Sequence, residues 1–165
     1  MITGLAHTAV CVPDVDAAVE WYRDVLGLVV LSPPYLMEGE GIQRDMGELV
    51  ADPRMKAAIV GVADSGDRVL EVIEYPHVAG ADARRALRLT DHGLTHVALL
   101  CDDVAATRAE LEAKGVEFLV DGVAGVARVR TTWFADPWGV VFILVEKTRP
   151  ERPYWAQYGS GRGTR

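Results

Sequence analysis

The sequence predicts an α+β fold built from two tandem βαβββ modules, and three observations predict it. The segment His7-Thr-Ala-Val-Cys-Val-Pro-Asp14-Val15 returns as His96-Val-Ala-Leu-Leu-Cys-Asp-Asp103-Val104, at an offset of 89 residues throughout. Each copy passes from an alternating apolar strand through a turn into a helical pattern. The ends of the copies match as well, since Leu70-Glu71-Val72-Ile73-Glu74 lies opposite Phe142-Ile143-Leu144-Val145-Glu146 at an offset of 72.

The elements follow in order. After the strand that begins at His7, a helix is expected over 15–26, with Asp14 as its N-cap and Gly27 as its stop. Strands over 28–31, 56–62 and 68–75 complete the first module. In the second, Asp103 caps a helix over 104–114 that stops at Gly115, and strands follow over 117–120, 126–134 and 140–147. The two offsets differ by about 17 residues, so the first copy carries an insertion. Residues 32–53, rich in Gly, Pro, Met and Glu, are its natural place and read as a loop beside the site. One domain over 1–148 results, with module one at 3–76, a linker at 77–91 and module two at 92–148. An irregular tail occupies 149–165.

Composition narrows the functional classes. The chain has 165 residues, 50% hydrophobic and 25% charged, the balance of a globular protein with a real core. No segment approaches the roughly 20 uninterrupted apolar residues of a membrane span. Met1-Ile2-Thr3-Gly4 runs straight into a patterned strand without a basic region, an apolar stretch or a cleavage site, so the cytoplasm is the expected compartment. A net charge of −7 repels phosphate backbones and argues against nucleic acid as a partner. Cys11 and Cys101 have no CxxC partner and read as buried small hydrophobes.

A His on the first strand of each copy and a carboxylate on the last strand of one are far apart in sequence, and a pseudo-twofold packing would bring them together. His7 alone reads equally as a strand cap or a satisfied core histidine; His96 at the matching position turns the pair toward ligation. Glu71 shares a strand face with Val69 and Ile73, where a carboxylate is costly without a partner. Glu74 falls on the opposite face and reads as solvated. Two imidazoles and one carboxylate suit zinc, nickel, cobalt, manganese or ferrous iron and leave positions open for substrate or water.

These residues carry a resemblance. Gly4-Leu-Ala-His7-Thr-Ala-Val, Trp21-Tyr22-Arg23-Asp24-Val25-Leu26-Gly27, Leu70-Glu71-Val-Ile-Glu-Tyr75, Gly93-Leu-Thr-His96-Val-Ala and Phe134-Ala-Asp136-Pro137-Trp138-Gly139 together resemble the vicinal oxygen chelate superfamily. It includes glyoxalase I, methylmalonyl-CoA epimerase, extradiol dioxygenases and fosfomycin or bleomycin resistance proteins. The resemblance spans nearly the whole chain. It implies a cupped mixed β-sheet, a homodimer, and a divalent metal held at His7, Glu71, His96 and a fourth position that falls on Ile143. Glyoxalase-like and epimerase-like members carry a Glu there as ligand and, in several, as proton-transferring base. Isoleucine can do neither. The internal alignment agrees, because Ile143 lies opposite Glu71. Glu146 could substitute only if its strand slipped or bulged.

Other residues are weaker candidates. Arg44, Glu38, Glu40 and Asp45 lie in the insertion, where one could act as a base or clamp a substrate carboxylate, with a solvated loop as the alternative. Arg128 and Arg130 share a strand face with Thr132; inside a cavity they would hold an anion, outside it they are a solvated sheet face. His77 and His92 read as surface residues. Trp133, Trp138, Tyr154, Trp155 and Tyr158 could line a ligand pocket, with core packing or a subunit contact as the alternative.

The expected function is a metal-dependent lyase, isomerase or dioxygenase acting on a small oxygenated metabolite. The alternative is a bleomycin-resistance-like protein that binds a small molecule without chemistry, which the loss at Ile143 motivates.

Overall fold

A computed structural model describes residues 1–63, 66, 68–80, 89, 90 and 92–157. The chain divides into two compact units, Met1–Ala83 and Arg84–Arg165. The first holds β1 (His7–Cys11), α1 (Val15–Asp24), β2 (Val29–Met37), α2 (Glu40–Met46), β3 (Met55–Gly61) and β4 (Val69–Glu74). The second holds β5 (Val97–Cys101), α3 (Val104–Ala113), β6 (Ala124–Val126), β7 (Val129–Ala135) and β8 (Val141–Lys147), followed by a 3-10 turn over Tyr154–Ala156. Each unit is one four-stranded mixed sheet, ordered β1-β4-β3-β2 in the first and β5-β8-β7-β6 in the second. The α+β class and the repeat of strand, helix and strands are therefore as the sequence predicts.

In each unit the first and last strands pair in parallel. Ala9 stands against Glu71 in β1·β4, and Ala98 against Ile143 in β5·β8. The 89-residue and 72-residue offsets thus meet in a single register, which makes Ile143 the structural counterpart of Glu71.

Helix starts obey capping chemistry. The Asp14 carboxylate accepts from the Ala17 amide at 3.0 Å, and Asp103 accepts from Ala105 and Ala106 at 2.9 and 3.0 Å. The Ala106 and Ala105 amides hold the Asp103 carboxyl below the usual carboxylate range. The cap therefore contributes stability above that range and loses it as the pH falls through the depressed value. Gly27 and Gly115 end the two helices with φ of 71° and 87°, which only glycine adopts without strain.

A further tie was not expected. The Val15 amide donates to Glu74 Oε2 at 2.9 Å, and the Val104 amide donates to Glu146 Oε2 at the same distance. The last strand of each module thereby satisfies an orphan amide of its helix. Glu74 is thus a structural acceptor, not a merely solvated carboxylate.

Period-two burial separates the sheet faces. Val10, Leu70, Val72, Ala58 and Val60 are buried, together with Val15, Ala18, Val19 and Tyr22 of α1. In the second unit Phe134 is fully buried, stacked on Phe142 at 5.3 Å and tilted against Phe118 at 5.5 Å.

Three expectations are corrected. The insertion is not a plain loop: β2 runs on to Met37 through two register shifts, and α2 follows. Pro33 and Pro34 are tolerated because β2 is an edge strand. The strand expected over 126–134 is split into β6 and β7 by a two-residue turn at Ala127 and Arg128, both at positive φ, 49° and 64°. The segment at 117–120 makes only an isolated bridge, Phe118 to Phe134. Arg108 holds that segment instead. Its Nη1 donates to the Val120 and Gly122 carbonyls at 2.8 and 2.7 Å and to Thr132 Oγ1 at 2.9 Å, while its guanidinium carbon lies 4.4 Å from the Phe118 ring centre. Arg108→Met should lower unfolding stability by about 2–4 kcal/mol, because it deletes charge-assisted hydrogen bonds and leaves their acceptors bare. Urea denaturation measures this, and an unchanged midpoint would show the network to be idle.

Candidate metal and substrate site

On the sheet face of the first unit turned away from α1, the odd positions of β1 and β4 place His7, Ala9 and Cys11 beside Val69, Glu71 and Ile73. His7 Nε2 lies 3.2 Å from Glu71 Oε2; the histidine side chain is 48% exposed and the glutamate 17%. A partly buried carboxylate therefore has a partner, as its cost requires. The pair is reachable from outside on the imidazole side. Tyr75 follows β4 two residues after Ile73, and burial, then the charges of Cys11 and Glu71, hold its phenol above the usual range. Its phenol therefore stays a proton donor through neutral pH. Sequence reasoning passed over Tyr75, although its parity with Glu71 and Ile73 was available.

In the second unit the counterpart face is apolar. Ile143 is only 9% exposed and clusters with Val129, Val145 and Trp133. His96 stands just before β5, with its ring edge-on to Trp133 at 4.9 Å and 72°. Thr95 Oγ1 lies 2.8 Å from His96 Nδ1. Among the described residues, no group of three or more His, Cys, Asp or Glu side chains is gathered to hold an ion. His7 and Glu71 come together in the first unit, and His96 belongs to the second.

The family profile of the Glyoxalase/Bleomycin resistance protein/Dioxygenase superfamily matches residues 4–144. The chain belongs to this superfamily. Among curated relatives, it is 33% identical over 147 residues to a 2-epi-5-epi-valiolone epimerase from an Actinomyces species, covering 84% of this chain and 76% of that protein. It is 28% identical over 145 residues to the mitochondrial methylmalonyl-CoA epimerase of Mus musculus, covering 86% of this chain and 70% of that protein. Among solved structures, a glyoxalase family protein from Bacillus cereus superposes with a TM-score of 0.75 at 18% identity, over 88% of this chain and 95% of that one. An antibiotic binding protein from Streptomyces superposes with a TM-score of 0.61 at 22% identity, over 88% and 97% of the two chains. These structural likenesses concern the superfamily fold.

Within that fold the remaining candidates sort by where their side chains go. Glu146 lies in regular register opposite Cys101 and Arg130; it accepts from the Val104 amide and pairs with Arg130 Nη1 at 2.8 Å. No bulge in β8 brings it round to the Ile143 side. Arg130 is therefore engaged on the α3 side of the sheet. Arg128 sits in the β6–β7 turn, so the two arginines share no strand face. Thr132 is buried, donating to the Gly122 carbonyl at 3.0 Å. Arg44 lies on α2, well exposed, 3.7 Å from Glu40 one helical turn away. Glu38, Glu40, Gln43, Asp52 and Arg54 line an open cleft of about 600 Å³ beside α2.

His77 Nε2 lies 3.1 Å from Arg54 Nη1, and His92 is exposed. Cys11 is exposed on the His7–Glu71 face and Cys101 is half-buried, which corrects the expectation that both thiols are buried. Parity places Cys11 on the uncovered side of β1. Trp138 belongs to the turn in which Asp136 Oδ1 accepts from the Trp138 and Val140 amides. Tyr154 and Trp155 are exposed, and Tyr158 lies outside the described residues. No helix among the described residues is long and apolar enough to cross a membrane.

Proposed function

We propose that the protein is a metal-dependent isomerase of the superfamily, using His7 and Glu71 of the first unit as ligands of a divalent ion to move a proton beside a carbonyl of a small oxygenated metabolite. The observation that carries this is the 3.2 Å separation of His7 Nε2 and Glu71 Oε2. Two donors each about 2.0–2.2 Å from a shared ion stand roughly 3.0–3.4 Å apart at ordinary coordination angles. The pair fits a divalent ion in spacing and in donor chemistry. Two epimerases among the curated relatives point to proton transfer as the reaction class.

Held by His7 and Glu71, a divalent ion would supply Lewis acidity to vicinal substrate oxygens. His7 would contribute a nitrogen donor and Glu71 a carboxylate oxygen, a donor set that suits a divalent ion still open to substrate oxygens. Glu71 Oε1, the oxygen not turned to His7, is the atom at which a substrate proton would be received. Ile143 gives no second carboxylate, so Glu71 alone must take and return the proton.

The same Ile143 favours a second reading, binding without chemistry, with Trp133 and the apolar face as the ligand surface. Metal analysis of protein purified without a chelating tag separates the two. Wild type should hold roughly one ion per chain, and His7→Ala should lose at least about tenfold in retention. Equal, substoichiometric metal in both proteins would sink the enzyme reading.

A further inference from the structure

We propose that α2 walls an apolar subsite beside the His7–Glu71 pair, and that the non-reacting end of the substrate is a hydrocarbon chain or ring without a charged group. This rests on the reading of that pair as the reacting site and adds the class of molecule the site admits. Rows of side chains across the first sheet lead from one to the other. Strand register puts Ser32 and Ile59 in line with Glu71, and puts Tyr35, Ala57 and Cys11 in line with Ile73, one row on. Met37 and Met55 stand opposite each other in the row after that. Ile42, Met55 and Ala57 form a buried cluster, against which Met37, Met46, Ile73 and Tyr75 pack. Ile42 and Met46 belong to α2, one helical turn apart, so this helix lies over the sheet face that carries Glu71, the face away from α1.

Charge and spacing decide what this surface admits. Among the described residues, no Lys, Arg, Asp or further Glu occupies the strand positions that share a face with Glu71. Lys56 and Glu74 turn to the α1 side, where Lys56 pairs with Asp16 and Glu74 accepts from the Val15 amide. A charged substrate end laid along these rows would lose water and gain no partner. Ile73 is one row, about 7 Å, along the strand from Glu71, so a short chain or a ring reaches the cluster from the reacting pair. The unbranched methionine side chains there adapt to hydrocarbon of varied shape. The helix that builds the wall belongs to the module that keeps the carboxylate; the module with Ile143 passes from α3 to β6 without a counterpart.

The test uses the full chain loaded with zinc. Acetohydroxamate, hexanohydroxamate and adipic acid monohydroxamate offer an ion the same two vicinal oxygens and differ only in the tail, which is short, apolar or ended by a carboxylate. Calorimetric titration gives their affinities. Isotope-labelled methionine methyls report contact by NMR, since the chain has four methionines and three of them, Met37, Met46 and Met55, belong to the cluster. Hexanohydroxamate should bind at least about tenfold tighter than acetohydroxamate through burial of its added methylenes, and adipic acid monohydroxamate no tighter than acetohydroxamate. Hexanohydroxamate should shift the Met46 and Met55 signals and leave Met1 unmoved, and Met46→Gln should cut its gain to under about threefold. Equal affinity for the three compounds, a preference for the carboxylate tail, or unmoved methionine signals with hexanohydroxamate bound would overturn the proposal. Hexanol titrated into the metal-free chain separates the subsite from the ion. A chain that takes up no zinc but shows the methionine shifts with hexanol loses the metal site and keeps the subsite; one that shows neither loses both.

Discussion

Ile143→Glu should raise the affinity of the protein for zinc or nickel by at least about tenfold while lowering the stability of the metal-free chain. Ile143 holds in the second sheet the register position that Glu71 holds in the first, so a carboxylate there would give His96 the kind of neighbour that His7 has in Glu71, an added oxygen donor for a divalent ion. The cost comes from its surroundings, because Val129 and Val145 offer a buried carboxylate no hydrogen bond and the neighbouring Trp133 brings at most a single indole donor. Without metal, the penalty is about 1–3 kcal/mol from mutational experience with such groups. With metal in excess the order should reverse, since an ion that binds only the folded chain stabilises it by mass action. Calorimetric titration and thermal unfolding with and without zinc read both signs. A variant that loses stability and gains no affinity would show that position 143 does not face the ion.

Phe134→Ala should cost the second unit about 3–5 kcal/mol. Phe134 is fully buried and sandwiched between Phe118 and Phe142, so truncation opens a cavity and removes two aromatic contacts at once. Phe118 also carries the Arg108 guanidinium over its ring, and loss of Phe134 should therefore loosen the 116–124 segment as well. Urea denaturation followed by tryptophan fluorescence would show it, with Ile143→Val as a mild comparison at about 0.5–1.5 kcal/mol. A Phe134→Ala chain within about 1 kcal/mol of wild type would mean that the aromatic stack collapses onto the gap.

The repeat was the most legible part of the sequence because it is written in residue types that each carry one physical meaning. A His begins the strand, an Asp caps the helix, a Gly stops it, and a β-branched run returns to the sheet. Matching the two copies located Glu71 and Ile143 as equivalents, and the parallel registers Ala9–Glu71 and Ala98–Ile143 repeat that equivalence in space. What resisted was structure set by tertiary context. Ala127 and Arg128 turn a hairpin without the Asn or Gly that announces one, so the break between β6 and β7 has no local signal. Glu74 and Glu146 looked solvated or misplaced because their partners, the Val15 and Val104 amides, lie 59 and 42 residues away. Arg130 was ambiguous until Glu146 fixed the side of the sheet to which it turns. Thr95 and Tyr75 were visible in the sequence, but hydroxyl groups carry no distinctive spacing.

Two consecutive prolines in β2 also say something about the outer margin of the first sheet. Among the described residues that strand pairs with β3 on one side only, and a row of free amides on the other would be a template for a foreign strand. Pro33 and Pro34 have no amide hydrogen to offer, and the register shifts on either side of Ser32 bend the strand further from a straight template. The module is thereby guarded against growing by strand addition, so that crowded or partly unfolded copies are steered away from β-aggregation at this margin.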